Sequence, residues 1–204
     1  MRIVGGRLRG RLLAGPKSQA IRPTADRLRE TLFNILVHRY GDPVTRSRVL
    51  DLFAGTGALG VEALSRGADF ALFVEDAARA RALIRANIDA LGLGGRSRIF
   101  RRDATRLGQR APVLAAFSLV FLDPPYGQGL AERALVAARD GNWILPDALV
   151  IIEEAVAAEL SVPAGCERLE QRCYDDTQLC FLRYSGRGLH PENETRKQGK
   201  QSLG

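Results

Sequence analysis

Apolar residues in this chain fall into short continuous runs separated by longer stretches with helical spacing. The runs predict buried strands at residues 48–53, 70–75, 97–101, 117–122 and 148–153. The stretches predict helices at 25–39, 58–65, 77–91 and 129–139, with a short turn near residue 105. Strand and helix therefore alternate, which is typical of an α/β fold with helices on both faces of a mostly parallel sheet.

Two more strands are predicted near the end of the chain, at 168–174 and 178–184. Asp175, Asp176 and Thr177 join them, and so short a connection requires the two strands to be antiparallel. We therefore expect a sheet of seven strands whose last hairpin gives it an antiparallel edge.

The start of the chain has a different pattern. Residues 2–4 and 8–14 are short segments separated by glycines, which predicts a small β-hairpin. Thr24 then stands where it can cap the first helix. We expect three parts: a basic β-hairpin extension at 1–23, the α/β domain at 24–184 and a disordered polar tail at 185–204.

Basic residues are concentrated at the same end of the chain. The whole chain carries 30 Lys and Arg against 23 Asp and Glu, a net charge of +7. Residues 1–29 alone contain eight basic side chains and one acid, Asp26, so this segment accounts for the whole surplus. Such a segment indicates contact with a polyanion. The candidate contact residues are Arg2, Arg7, Arg9, Arg11 and Arg22.

Composition argues against membrane and metal proteins. No apolar stretch approaches the roughly 20 residues that span a bilayer, and the first residues lack the apolar segment of a signal peptide. We therefore expect a cytoplasmic protein. The three cysteines lack C-x-x-C spacing, and His38 and His190 are isolated, so we expect no metal site.

A run of four residues, Asp123-Pro124-Pro125-Tyr126, directly follows the predicted strand 117–122. The Asp123 carboxylate and the Pro124 carbonyl can accept both N–H bonds of an exocyclic amine on a nucleobase and turn its lone pair toward an electrophile. The prolines hold the turn rigid, and the Tyr126 ring can stack on the base. The alternative interpretation is a strand followed by a Pro-Pro turn without chemistry.

A glycine-rich loop follows the first predicted strand. Its glycines match G-x-G-x-x-G between a strand and a helix, and Glu75 ends the next strand, where a carboxylate can accept both hydroxyls of a ribose. This spacing fits a dinucleotide or S-adenosylmethionine. Asp51 favours the second, because a carboxylate there repels a pyrophosphate and complements the ammonium group of the methionine moiety. The candidate cofactor-binding residues of this region are Asp51, Phe53, Ala54, Gly55, Thr56, Gly57, Glu75 and Asp76.

These positions all follow predicted strands, so we expect them to meet at one edge of the sheet. Asp103 and Ala104, after the third strand, belong to the same edge. Asp103 can accept a hydrogen bond from the adenine amino group while a backbone amide donates to the ring. A helix cap is the alternative role for Asp103.

Four segments give the chain a resemblance to a known family. They are residues 1–11 (MRIVGGRLRGR), 22–35 (RPTADRLRETLFNI), 51–60 with 62–68 (DLFAGTGALG, EALSRGA) and 121–126 (FLDPPY). Up to about residue 184 the sequence resembles the RsmD family of bacterial methyltransferases, which transfer a methyl group from S-adenosylmethionine to the exocyclic N2 of one guanine in small-subunit 16S ribosomal RNA. The resemblance implies a Rossmann-like class I S-adenosylmethionine-dependent methyltransferase fold for residues 24–184.

The resemblance also implies a partner and a binding mouth. The partner is 16S ribosomal RNA, within the small ribosomal subunit, and the target guanine must leave its helix to enter the pocket. Arg22, Pro23 and Thr24 are implied at the mouth for cofactor and substrate, and we expect a monomer. The family usually has Gly where this chain has Asp175, which puts the local turn in doubt.

Three other functions share part of this pattern. A DNA adenine methyltransferase shares the Asp-Pro-Pro-Tyr turn but normally has a larger target-recognition region. A NAD-dependent dehydrogenase shares the glycines but gives no purpose to Asp51 or to the Pro-Pro turn. A non-catalytic RNA-binding protein explains the basic segment but needs no ribose-binding carboxylate at Glu75.

Overall fold

The computed structural model describes residues 1–15 and 23–186, with side chains from residue 26 onward in the first helix. Its helices are α1 (Pro23–Arg39), α2 (Ala58–Ser65), α3 (Ala78–Ala90) and α4 (Leu130–Asp140). Its strands are β1 (Arg48–Leu52), β2 (Phe70–Val74), β3 (Ser97–Phe100), β4 (Phe117–Leu122), β5 (Ile144–Ala155), β6 (Cys166–Tyr174) and β7 (Thr177–Tyr184). Short 3₁₀ turns lie at Gly94–Arg96 and Ala104–Arg106.

Every helix and strand predicted after the N-terminal hairpin lies within two residues of its observed position except β5, and the start of α1 changes the role of one residue. Strand β5 begins at Ile144, four residues before the prediction. Helix α1 begins at Pro23, so Thr24 lies inside the first turn and does not stand ahead of the helix as its cap. Proline suits the first helical position because its missing N–H would have no partner there.

The sheet has seven strands in the order β3-β2-β1-β4-β5-β7-β6. The first five strands of this order are parallel, and the C-terminal strand β7 is antiparallel to both of its neighbours. The predicted α/β fold with an antiparallel C-terminal strand is therefore confirmed. The predicted hairpin of β6 and β7 lies at one edge of the sheet and is antiparallel, as expected. Strand β7 is buried along almost its whole length and lies inside the sheet, whereas the polar strand β6 takes the exposed edge.

The turn between β6 and β7 forms without the glycine that the family usually has. Asp175 adopts φ of 51°, in the left-handed region where glycine is easiest to place. Aspartate is among the few other residues that tolerate this conformation, so the turn is retained.

Alternating side chains divide the core into two layers, one on each face of the sheet. Val49 packs with α1, α2 and α3, while Leu50 and Leu52 pack with α4 on the other face. The same alternation applies to β2, β4 and β5. Each strand therefore has one set of side chains directed to the α1–α3 layer, and this decides where polar residues at the strand ends lie.

Residues 1–15, which we call the N-terminal arm, fold back on themselves in the antiparallel sense of the predicted hairpin, with one bridge between Arg2 and Leu12 and no full strands. The amides of Ile3, Gly10 and Leu13 donate to the carbonyls of Arg11, Ile3 and Met1. Ile3 and Leu13 are buried in the α1–α3 layer. Burial of these two side chains holds the arm against the core. The predicted division into parts at residues 23 and 184 stays a prediction; residues 16–22 and 187–204, with Arg22 and most of the predicted tail, lie outside the described residues.

Helix α2 fixes the arm by side-chain bonds to its backbone. Glu62, which is fully buried, accepts a hydrogen bond of 2.9 Å from the Val4 amide and pairs with Arg66 at 2.7 Å. Ser65 Oγ donates to the Gly5 carbonyl at 2.6 Å and accepts from the Leu8 amide at 3.0 Å. The arm is therefore held by buried polar groups as well as by apolar packing.

This close docking predicts different effects of Gly6→Ala and Gly10→Ala. Both glycines have left-handed φ, 73° and 83°, so each substitution should cost about 1 kcal/mol in backbone strain. A Cβ at Gly6 would lie 2.1 Å from the Ser65 carbonyl oxygen, whereas at Gly10 it would meet nothing within 4 Å. Gly6→Ala should therefore lower the free energy of unfolding in urea by roughly 2–4 kcal/mol, or detach the arm so that trypsin cleaves it. Equal losses in the two variants would contradict the docking.

Candidate active site

Polar residues collect at the carboxyl ends of the parallel strands, around the point where the strand order reverses between β1 and β4. Asp51 lies on β1, Glu75 follows β2 and Asp123 follows β4. Strand β5 adds Glu153, which the sequence analysis missed. Their neighbours two residues earlier, Val49, Phe73, Phe121 and Ile151, are all in the α1–α3 layer. Alternation along the strands therefore directs all four carboxylates toward that same face.

The loop between β1 and α2 contains two glycines with left-handed backbone conformations and a third that packs closely against the sheet. Gly55 and Gly57 have φ of 57° and 78°. Gly60 allows α2 to approach the sheet, because a Cβ there would lie 2.4 Å from the Phe73 ring. The Gly60 amide donates to Asp51 Oδ2 at 2.9 Å. The three glycines thus serve the turn and the packing of helix on strand, as the motif requires.

Glu75 fastens this loop to the end of β2. Its Oε2 accepts the Gly55 amide and its Oε1 the Ala77 amide, both at 2.8 Å. The predicted ribose-binding role requires further bonds to the same oxygens, and a carboxylate has the lone pairs for them. Asp76, the next candidate, is exposed.

Two adjoining cavities open along this edge, and Phe53 lines both of them. Phe53 has φ of 61°, a conformation that non-glycine residues rarely adopt and that is found most often at functional sites. The larger cavity measures about 350 Å³ and is lined by Met1, Leu28, Arg29, Leu32, Asp51, Phe53, Ala54, Gly55, Thr56, Ala58, Leu59, Asp123, Tyr126 and Glu153. The smaller measures about 220 Å³ and is lined by Phe53, Val74, Glu75, Asp76, Arg102, Asp103, Ala104, Pro125 and Leu130.

Asp103 takes the capping role that the sequence analysis left open. Its Oδ1 accepts both the Thr105 amide and the Thr105 hydroxyl at 2.8 Å, and the hydroxyl bond is the main reason that its pKa is lowered. The residue nevertheless lines the smaller cavity together with buried Ala104. It therefore caps the 3₁₀ turn and contributes to the cavity wall at the same time.

The Asp-Pro-Pro-Tyr turn separates into buried and exposed parts. Pro124 is buried, whereas Pro125 and Tyr126 are exposed at the cavities. The Tyr126 hydroxyl donates to Glu153 Oε1 at 2.8 Å. Glu154, which the sequence analysis also missed, is buried and accepts the Gly127 amide at 2.9 Å. The C-terminal end of this turn is therefore held by two side chains of β5.

The clustering of carboxylates changes their acidity. Burial raises the pKa of Asp51 to about 8, and the charge of Glu75 adds to this against the Gly60 hydrogen bond. The Asp123 side chain is open to the cavity, and its pKa is raised well above its usual range, first by the surrounding protein, which excludes water, and then by the charges of Glu153, Asp51 and Glu154. A cavity with this set of acceptors favours ligands with positive charge or N–H donors and disfavours a pyrophosphate.

Arg29 lines the larger cavity beside this cluster, and it too was missed as a site residue. Its side chain is only 5% exposed, pairs with Asp26 at 2.8 Å and donates to the Arg2 carbonyl at 2.5 Å. The helical pattern held a signal, because Arg29 precedes buried Leu32 and Phe33 by three and four residues and so lies on the same face of α1. This arginine belongs to the cavity wall and not to the exposed basic surface.

The predicted polyanion contacts that belong to the arm lie at the surface. Arg2, Arg7, Arg9 and Arg11 are all exposed. The structure gives no side-chain position for Thr24, and Arg22 lies outside the described residues. A second basic segment was missed. Residues 79–110 contain nine arginines and two aspartates, but acidic residues in other parts of the chain balance their charge in the total. Its exposed members are Arg79, Arg85, Arg98, Arg101, Arg102 and Arg106.

Within residues 1–15 and 23–186, no group of three or more His, Cys, Asp or Glu side chains is arranged to hold a metal ion. No helix in the same part of the chain has the length and apolar character to cross a membrane.

Comparisons with known proteins agree with this architecture. The family described as "Conserved hypothetical protein 95" matches residues 1–183. The chain is 40% identical over 167 residues to "Ribosomal RNA small subunit methyltransferase D" of Escherichia coli K12, covering 81% of this chain and 80% of the relative. It is 34% identical over 173 residues to the protein of the same name from Haemophilus influenzae, covering 84% and 88%. The solved structure of yhhF from Escherichia coli superposes with a TM-score of 0.77 at 32% identity, covering 92% and 99% of the two chains.

The raised pKa of Asp51 predicts a specific dependence of stability on pH. Between its ordinary value near 4 and its folded value of about 8, the folded protein holds a proton that the unfolded chain has released. Asp51 should therefore lower the free energy of unfolding as pH rises through this window, by up to about 1.4 kcal/mol per pH unit. Asp51→Asn keeps an acceptor for Gly60 but cannot ionise, so its urea-unfolding stability should fall less steeply. Parallel pH profiles for the two proteins would contradict this assignment.

Proposed function

Because the chain belongs to the RsmD family, matched here as conserved hypothetical protein 95, we propose that it is an S-adenosylmethionine-dependent methyltransferase acting on the exocyclic N2 of one guanine in 16S ribosomal RNA. The observation that carries the proposal is the larger cavity at the β1/β4 switch, where Asp51, the glycine loop and the Asp-Pro-Pro-Tyr turn meet. One cavity thus combines acceptors for a cationic cofactor with acceptors for an amine.

The residues present fit S-adenosylmethionine. When bound, this cofactor supplies an electrophilic methyl group on a sulfonium centre. Asp51 would hold its ammonium group, Glu75 its ribose hydroxyls, and Asp103 with Ala104 its adenine in the smaller cavity. The cluster of carboxylates supports this choice, because it attracts a sulfonium and an ammonium group but repels the phosphates of NAD.

Asp123 and the Pro124 carbonyl orient the target amine. The base must be extruded from its helix to reach them, and Tyr126 offers an exposed ring on which it can stack. The bond from the Tyr126 hydroxyl to Glu153 fixes the direction of that ring. The positive charge of the cofactor favours the ionised form of Asp123, and from that form the carboxylate, with its raised pKa, can take up the proton that the methylated amine releases.

The N-terminal arm places exposed arginines on the same layer of the molecule as the cavity. Met1 lines the cavity, and Arg7, Arg9 and Arg11 continue the arm at the surface. Arginines bind the RNA backbone through its phosphates. The proposal includes RNA within the small ribosomal subunit as substrate, a cytoplasmic location and a monomeric enzyme.

A methyl-transfer assay with labelled cofactor tests the reaction. We expect transfer to small-subunit particles or their RNA, with N2-methylguanine as product, and none to DNA. Asp123→Ala should reduce turnover by at least about 1,000-fold, because the amine loses its positioning acceptor, while calorimetry shows cofactor affinity within a few-fold of the wild type. Asp89→Ala, on an exposed aspartate of α3, is the control and should retain activity. Loss of cofactor binding in parallel with turnover would rule out the assigned role of Asp123.

The role of the arm is tested by the salt dependence of RNA binding. Replacing Arg7, Arg9 and Arg11 with Gln should weaken binding and reduce the slope of log K against log salt by about 2, as expected for three lost contacts with single-stranded phosphates. Arg39 and Arg183 are exposed on other elements, and their replacement should leave the slope unchanged. An unchanged slope in the triple variant would exclude the arm as the contact.

A further inference from the structure

Glu153 faces the cavity beside Asp123 and has no part in the chemistry described so far. Strands β4 and β5 pair in parallel, with Phe121 opposite Ile151 and Leu122 opposite Ile152. The next residues are Asp123 and Glu153, one strand spacing of about 4.8 Å apart. Both line the larger cavity. Two carboxylates are thus available to one base.

The Glu153 carboxylate is held in a fixed orientation. Its Oε1 accepts the Tyr126 hydroxyl at 2.8 Å, which leaves Oε2 able to accept a second donor. Burial raises the pKa of Glu153, whereas the Tyr126 hydrogen bond and the charge of Arg29 act in the opposite direction and favour the ionised form. Arg29 is itself fixed by Asp26 and by the Arg2 carbonyl. The residue is therefore an oriented acceptor.

Guanine and adenine differ in the atom next to the exocyclic amine. In guanine the N2 amine adjoins N1–H, so two donors stand side by side. In adenine the N6 amine adjoins N1 with its lone pair, so a donor stands beside an acceptor. A carboxylate pair binds the first arrangement through both groups, but it places a lone pair against a lone pair in the second.

We propose that Glu153 accepts the N1–H of the target base and thereby selects guanine, while Asp123 holds the amine. This inference rests on the proposed function and adds the residue that determines its base specificity. The inference also gives the Tyr126 hydroxyl a second role. Its hydrogen bond to Glu153 orients both the Tyr126 ring and the Glu153 carboxylate that binds N1–H.

The test uses RNA that the wild type methylates, prepared with guanine or with 2-aminopurine at the target position. 2-Aminopurine has the same amine but an acceptor at N1. The wild type should prefer guanine by at least about 100-fold in kcat/KM, because a site built to bind a donor rejects the analogue without it. Glu153→Gln can donate to N1, so the preference should fall to within about 10-fold.

Glu154→Gln is the matched control, because Glu154 is adjacent in sequence but binds the Gly127 amide on the other face of the sheet. It should keep the preference for guanine even if its turnover or melting temperature changes. Wild-type activity without base preference, or a full preference in Glu153→Gln, would overturn the inference and leave the proposed function standing. A wild type that methylates no RNA would overturn both. If Glu153→Gln does not fold, Glu153→Ala takes its place, and a full preference for guanine in that variant would overturn the inference in the same way.

Discussion

Four carboxylates at the ends of parallel strands, all directed to one face of the sheet, are the constraint on which the rest of this site depends. Alternation puts Asp51, Glu75, Asp123 and Glu153 there once the strand order is set, whatever the cost of placing like charges together. The pKa values of Asp51 and Asp123 are raised first by burial and then by the neighbouring carboxylates. The fold offsets this cost with donors: the Gly60 amide for Asp51 and the Tyr126 hydroxyl for Glu153.

The same network couples the cavity to the arm. Arg29 lies beside Glu153 in the cavity wall, contacts the Arg2 carbonyl, and approaches Glu62 at 3.6 Å. Glu62 in turn holds the Val4 amide. On the other side, Asn87 accepts the Ala14 amide at 2.7 Å and donates to the Thr56 carbonyl of the glycine loop at 2.9 Å, so both ends of the arm are tied to groups that line the cavity. A shift of the arm on binding RNA would therefore also move groups that line the cavity, on the Arg29 side and at the glycine loop.

Local patterns predicted the elements of this fold well, because buried strands and the glycine loop are specified by neighbours in the sequence. Long-range features were harder. The arm was expected to be a hairpin, and its two halves do pair, but no local pattern indicated that Ile3 and Leu13 would be buried in a distant layer. Which of Glu153 and Glu154 faces the cavity depends on the register of β5, which no short pattern gives. Counting charges along the chain identified the basic arm but missed the arginines of residues 79–110. Acidic residues in other parts of the sequence balance these arginines in the total charge.

The acceptors of the cavity explain why two chemically different ligands suit one space. A sulfonium cofactor brings positive charge, and guanine brings adjacent N–H donors, so each relieves part of the repulsion among the carboxylates. The positive charge of the cofactor opposes the charges of Glu153 and Asp51 that raise the pKa of Asp123, and so favours the ionised form of Asp123, which is the better acceptor for guanine. Binding of the two is therefore expected to be cooperative through the carboxylates themselves, without any movement of the sheet.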